Sequence, residues 1–157
     1  RKLDEGHYHA IVLAAAGLKR LGLASRIRKV FEPTEMLPAA GQGALGIEVR
    51  TARPEVAAAL APLAHLPTWL AVAAERAVSR AMGGSCSMPL AAFTTWQGPA
   101  QAGGVLRLDA AWGDPEGRTP VVRVHGQVTV TTLEQAEALG QAVAQQLRAA
   151  GAPGLSA

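Results

Sequence analysis

Cysteine is almost missing from this sequence: its 157 residues hold one, Cys86. A single cysteine excludes a disulfide framework within the chain and suits a reducing compartment, so the expected location is cytoplasmic. It also excludes zinc-dependent deaminase chemistry, which needs several cysteine ligands. Charged residues are scarce, at 17% against 49% hydrophobic, a balance that excludes a disordered chain. Long apolar runs are lacking as well. The longest, 10-AIVLAAAGL-18, is far too short to span a bilayer, and no membrane partner is expected. The chain opens 1-RKLDEGHYHA without an initiator methionine or a secretory h-region. The opening reads as the end of a helix, so the expectation is the C-terminal part of something longer.

What charge there is lies unevenly. Of the net +3, residues 1–53 hold nine Lys and Arg against five Asp and Glu, a local +4. At 4% aromatic content these charges lack the interleaved rings that base stacking needs, so no nucleic-acid partner is expected. An anion-facing surface and a plain solvated face both remain open readings.

Hydrophobic patterning then places the elements. Residues 9–18 read as a buried strand, 18–31 as short helical turns carrying the basic cluster, and 45-LGIEVR-50 as a short strand. Residues 52–64 predict an alanine-rich helix and 65-HLP-67 a linker. Thr68 is placed to cap a helix from Trp69 to Met82, which Gly83 and Gly84 stop. Strands follow at 90–96, 105–112 and 121–128. The middle one alternates Leu106, Leu108, Ala110 and Trp112 against Arg107 and Asp109. The turn 113-GDPEG-117 joins it to the third. Thr132 and Gln135 fit a capping box for a last helix, with a stripe of Leu133, Ala136, Leu139, Val143 and Leu147 ending at Gly151.

The expected class is α/β with an α+β C-terminal domain, a three-stranded antiparallel sheet packed by helices. Residues 1–37 read as the end of one α/β domain, 38–64 as a hinge with a strand and helix, and 65–157 as the C-terminal domain.

Three features invite chemistry. The string 41-GQGALG-46 matches G-x-G-x-x-G, but Pro38 and two alanines precede it and a β-leaning segment follows. A dinucleotide fingerprint needs a strand before and a helix N-terminus after, so a glycine-rich hinge is the better reading. His7 and His9 are too few for a structural zinc site, and no metal is expected. Cys86 sits in 83-GGSCSMPL-90. Most lone cysteines are buried hydrophobes, yet a Gly-Gly-Ser loop packs poorly and lets a large partner approach the sulfur.

Four stretches together resemble one family, porphobilinogen deaminase, also called hydroxymethylbilane synthase. They are 3-LDEGHYHAIVLAAAGLKRLGL-23, 37-LPAAGQGALGIEVR-50, 75-ERAVSRAMGGSCSMPLAA-92 and the meander-helix end. The resemblance implies the family's C-terminal half: remnants of periplasmic-binding-protein-like α/β domains, then the small cofactor-carrying domain. It implies a dipyrromethane cofactor held by a thioether on Cys86, beside Gly84 and Ser85. A soft thiolate suits capture of the electrophilic azafulvene left when porphobilinogen loses ammonia.

In this family four porphobilinogens are added in turn, and the growing oligopyrrole is strongly anionic. Arg20 matches an arginine that binds its acid groups, for cofactor and substrate alike, and Gln42 matches a residue lining the cleft. Lys19 adds long-range attraction or is a surface lysine. His9 replaces a usual acidic residue and Ser85 a usual glycine. The catalytic aspartate belongs to the N-terminal half, which becomes the expected partner, and the complete enzyme is expected to be a monomer. The rival readings are a non-catalytic binding or scaffold domain, a cysteine-dependent redox or hydrolytic enzyme, and a basic nucleic-acid binder.

Overall fold

Apolar spacing from Leu66 onward builds two long helices around a three-stranded meander. The structure, a computed structural model, describes residues 1–85, 87–99 and 103–152. The chain divides into two units, Arg1–Glu35 and Met36–Ala157.

The first unit carries helix α1 (Ala15–Arg20) and a 3₁₀ turn over Ala24–Arg26. None of its residues is buried. Its tertiary ties are polar, chiefly the Arg26 guanidinium on Asp4 and the Lys29 ammonium on Glu35.

The second unit carries α2 (Pro54–Leu60), a 3₁₀ turn over Ala61–Leu63, α3 (Leu66–Met82), β1 (Leu90–Gln97), β2 (Gly104–Trp112), β3 (Val122–Val130) and α4 (Leu133–Ala149). The sheet runs β1-β2-β3, antiparallel throughout, with Thr94 opposite Leu108 and Leu108 opposite Gly126. Alternation sends Leu106, Leu108, Ala110 and Trp112 to the helix-covered face. Arg107 forks onto Asp109 on the other face, at 2.8 and 2.7 Å.

Leu70, Val78 and Met82 of α3 complete the core with Val130, Val143 and Leu147. Each such side chain contributes about 1.5–3 kcal/mol on leaving water. Gly140 is the contact point of the helices. A Cβ there would stand 2.3 Å from the Ala74 carbonyl oxygen and 2.5 Å from the Ala77 Cβ. The capping box is present, with the Gln135 N–H donating to Thr132 Oγ1 and the Thr132 N–H to Gln135 Oε1.

Several expectations are corrected. Residues 9–18 are not a buried strand: Ile11, Val12 and Leu13 are exposed, and helix begins at Ala15. Residues 45–50 form no strand either, with Leu45 97% exposed. Both have strand-like composition, but a strand needs a neighbour for its ladder, and among the described residues neither finds one. The helix expected over 52–64 ends at Leu60 and tightens into the 3₁₀ turn. Helix α3 starts at Leu66, not Trp69, because Pro67 is pre-set for a first turn and its missing N–H costs nothing there. Thr68 Oγ1 does not cap; it lies 2.8 Å from His65 Nδ1. Leu133 belongs to the last stripe by spacing, yet it is exposed.

Candidate functional site

Helix α3 delivers the loop that precedes Cys86. Gly83, at φ +123°, donates its N–H to the Arg80 carbonyl at 3.2 Å, and Gly84, at φ +66°, donates to Ser79 at 2.8 Å. These left-handed glycines donate their N–H groups to the last carbonyls and break the helix. Two cations hold the same end. Arg80 reaches Glu137 of α4 at 2.8 Å, and the Arg148 guanidinium donates to the Ala81 carbonyl. Both complement the negative end of the helix dipole.

Beyond the helix, Gly84, Ser85 and Ser87 are exposed. Ser85 Oγ accepts the Ser87 N–H at 3.2 Å and lies 2.8 Å from Ser87 Oγ, while the Met88 N–H donates to the Ser85 carbonyl at 3.3 Å. A Cβ on Gly84 would meet nothing within 4 Å. The approach to this loop is open at Gly84. Cys86 itself lies outside the described residues.

The second predicted piece, the Gly41–Gly43 loop, is a turn rather than a helix start. Gly41 and Gly43 adopt φ +73° and +89°, the Gln42 N–H donates to Ala39 at 3.1 Å, and no helix opens before Pro54. The Gln42 side chain is exposed. No hydrogen bond joins Gln42 to Gly84 or Ser85 among the described residues.

The third, Arg20, is the last residue of α1 and is exposed. Part of the basic cluster around it is already engaged. The hydrogen bond from Arg26 holds the Asp4 carboxyl below its ordinary range, and the one from Lys29 does the same for Glu35. Among the described residues Lys19, Arg20 and Arg28 make no ion pair, which leaves them available to an external anion. His7 Nε2 approaches Glu5 at 3.6 Å, and the described residues hold no cluster of three or more metal-binding side chains.

Sequence reasoning missed Glu75. This carboxylate is 5% exposed and accepts three hydrogen bonds: from the Gly41 N–H at 2.7 Å, the Thr94 N–H at 2.8 Å and Thr94 Oγ1 at 2.8 Å. A signal was there to be read. Glu75 interrupts the stripe of Ala74, Ala77, Val78 and Met82, and an acid on a core face needs partners.

Comparison with known proteins bears on the whole chain. Residues 1–58 match the family model described as porphobilinogen deaminase, dipyromethane cofactor binding domain, and residues 69–149 match that of the porphobilinogen deaminase C-terminal domain. Arg20 and Gln42 fall within the first match and Cys86 within the second. The chain is 67% identical to a porphobilinogen deaminase of Albidiferax ferrireducens, 58% to one of Ralstonia nicotianae and 53% to one of Paraburkholderia phytofirmans. Each alignment covers 96% of this chain but only 46%, 44% and 42% of the relative, so the chain spans less than half their length.

Proposed function

Because the chain belongs to the porphobilinogen deaminase family, we propose that it is the C-terminal half of a hydroxymethylbilane synthase. That transferase joins four porphobilinogens with loss of ammonia. In this reading Cys86 holds the dipyrromethane through a thioether. When bound, the dipyrromethane supplies the primer to which pyrrole units are added. The observation that carries the proposal is the ordered match of both family models, with Cys86 following an open Gly-Ser turn.

The residues present fit such a group. An anion bearing two carboxylates per ring needs accessible cations, and Arg20 is exposed and outside every ion pair among the described residues. Its guanidinium donates two parallel N–H bonds to one carboxylate. Gln42 offers both a donor and an acceptor at the rim of its turn. Gly84 and Ser85, which precede Cys86 in the chain, are exposed, and a Cβ on Gly84 would meet nothing within 4 Å.

The reading assigns the N-terminal half as the chain's partner, with a monomeric complete enzyme in the cytoplasm, and leaves the isolated chain inactive. Exposure of Ile11, Val12 and Leu13, and of Leu45 and Ile47, supports that partner, since these strand-like segments lack a ladder within the described residues. Among the described residues no single helix is long and apolar enough to cross a membrane.

The test is an intact mass of the chain produced together with the N-terminal half, followed by peptide mapping of residues 83–90. The expected result is an adduct on Cys86 equal to two porphobilinogens less two ammonias. An unmodified thiol in that preparation would overturn the tether. Consumption of porphobilinogen at an enzyme-like rate by this chain alone would overturn the claim of inactivity.

A further inference from the structure

Strand β1 is an edge of the sheet, and its outward donors must find acceptors elsewhere. Two of them are met by non-sheet groups. The Ala92 N–H donates to the Pro38 carbonyl at 3.1 Å, and the Thr94 N–H to Glu75 Oε1 at 2.8 Å. The other Glu75 oxygen takes the Gly41 N–H at 2.7 Å. The segment Pro38–Gly41 is therefore fastened at both ends, once to β1 directly and once through a carboxylate that also holds β1.

We infer that Glu75 is a positioning residue: it locks the Gly41–Gly43 turn, and so Gln42, to the α3–β1 pair that flanks the cysteine loop. The chemistry singles out a carboxylate. It must accept from three donors on two oxygens and offer none in return. Glutamine has one acceptor oxygen, and its NH₂ would face either the Gly41 N–H or the Thr94 N–H, orphaning one of them. The backbone adds to the requirement, because Gly41 sits at φ +73°, where its N–H points at the carboxylate without strain. That Gln42 thereby keeps its place beside a bound oligopyrrole rests on the deaminase reading; the lock itself does not.

Amide hydrogen exchange on the full chain tests the lock. In the unmutated protein the Gly41 amide, although in a turn, is expected to be protected to within about tenfold of the Thr94 amide, because both hang on one side chain. Exchange of Gly41 at the rate of a free loop would overturn the inference. In Glu75→Gln, exchange at Gly41 or Thr94 is expected to rise about 10- to 100-fold relative to Val143 of α4, the loss expected when a hydrogen bond to a charged group goes. Thr94→Val, which removes only the hydroxyl donor, is expected to leave the Gly41-to-Val143 ratio unchanged. A rise of Gly41 and Val143 in step in Glu75→Gln would make Glu75 a general stabiliser and refute the positioning role.

Discussion

Gly140→Ala puts two ordinary rules in opposition. Alanine is the better helix former, by about 1 kcal/mol over glycine in a helix interior, so propensity alone predicts a more stable protein. Packing predicts the reverse. The new Cβ would lie 2.3 Å from the Ala74 carbonyl oxygen, 2.5 Å from the Ala77 Cβ and 3.2 Å from the Val78 nitrogen. The first and third neighbours are backbone of a buried helix and cannot swing aside, so α3 and α4 must separate. Overpacking of this kind costs about 1–3 kcal/mol, and a clash with backbone belongs at or above the upper end. The net expectation is a loss of about 2 kcal/mol, or about 6 °C in Tm at this size. Urea and thermal unfolding followed by circular dichroism measure it. Gly126→Ala is the comparison, since its Cβ meets only the Val143 Cγ2 at 3.0 Å and the Leu139 Cδ1 at 3.2 Å. Those methyls can yield, and the cost there is about 1 kcal/mol or less. A Gly140→Ala chain as stable as the parent, or more so, would refute the close-contact argument.

Two further outcomes follow from local hydrogen bonding. Thr132→Ala removes the acceptor for the Gln135 N–H and is expected to cost about 1 kcal/mol, read from the urea midpoint with an unchanged m value. Asp114 organises the β2–β3 loop. Its carboxyl is held below the ordinary range first by the Glu116 N–H and then by the Arg118 and Thr119 donors. A depressed folded-state pKa contributes stability above the unfolded value, near 3.9, that is lost as pH falls through the folded value. The amide signals of Glu116, Arg118 and Thr119 are therefore expected to hold steady down to about pH 4 and to shift together below it. Shifts centred at or above the ordinary carboxylate range would contradict the loop geometry.

Legibility in the sequence followed the range of the interactions. The capping box at Thr132, the stops at Gly83 and Gly84, and the alternation through β2 depend on residues within a few positions of one another, and each stands in the structure as read. The site was legible differently. Cys86, Arg20 and Gln42 were reached through resemblance, because a loop thiol, a helix-end arginine and a turn glutamine carry no periodicity of their own.

Tertiary structure alone decided the rest. Whether 9–18 and 45–50 hold strands depends on a partner edge, which composition cannot supply. Glu75 shows why distance matters: its donors lie 34 and 19 residues away, on a turn and an edge strand, and only the folded second unit brings them to one carboxylate. Gly140 reads as a flaw in a helix until α3 lies against it. By itself the sequence determined the elements bounded by short-range hydrogen bonds and the family to which they belong. Folding determined which apolar segments are paired, which glycine is a contact and which acid is buried, because those properties belong to pairs of residues far apart in the chain.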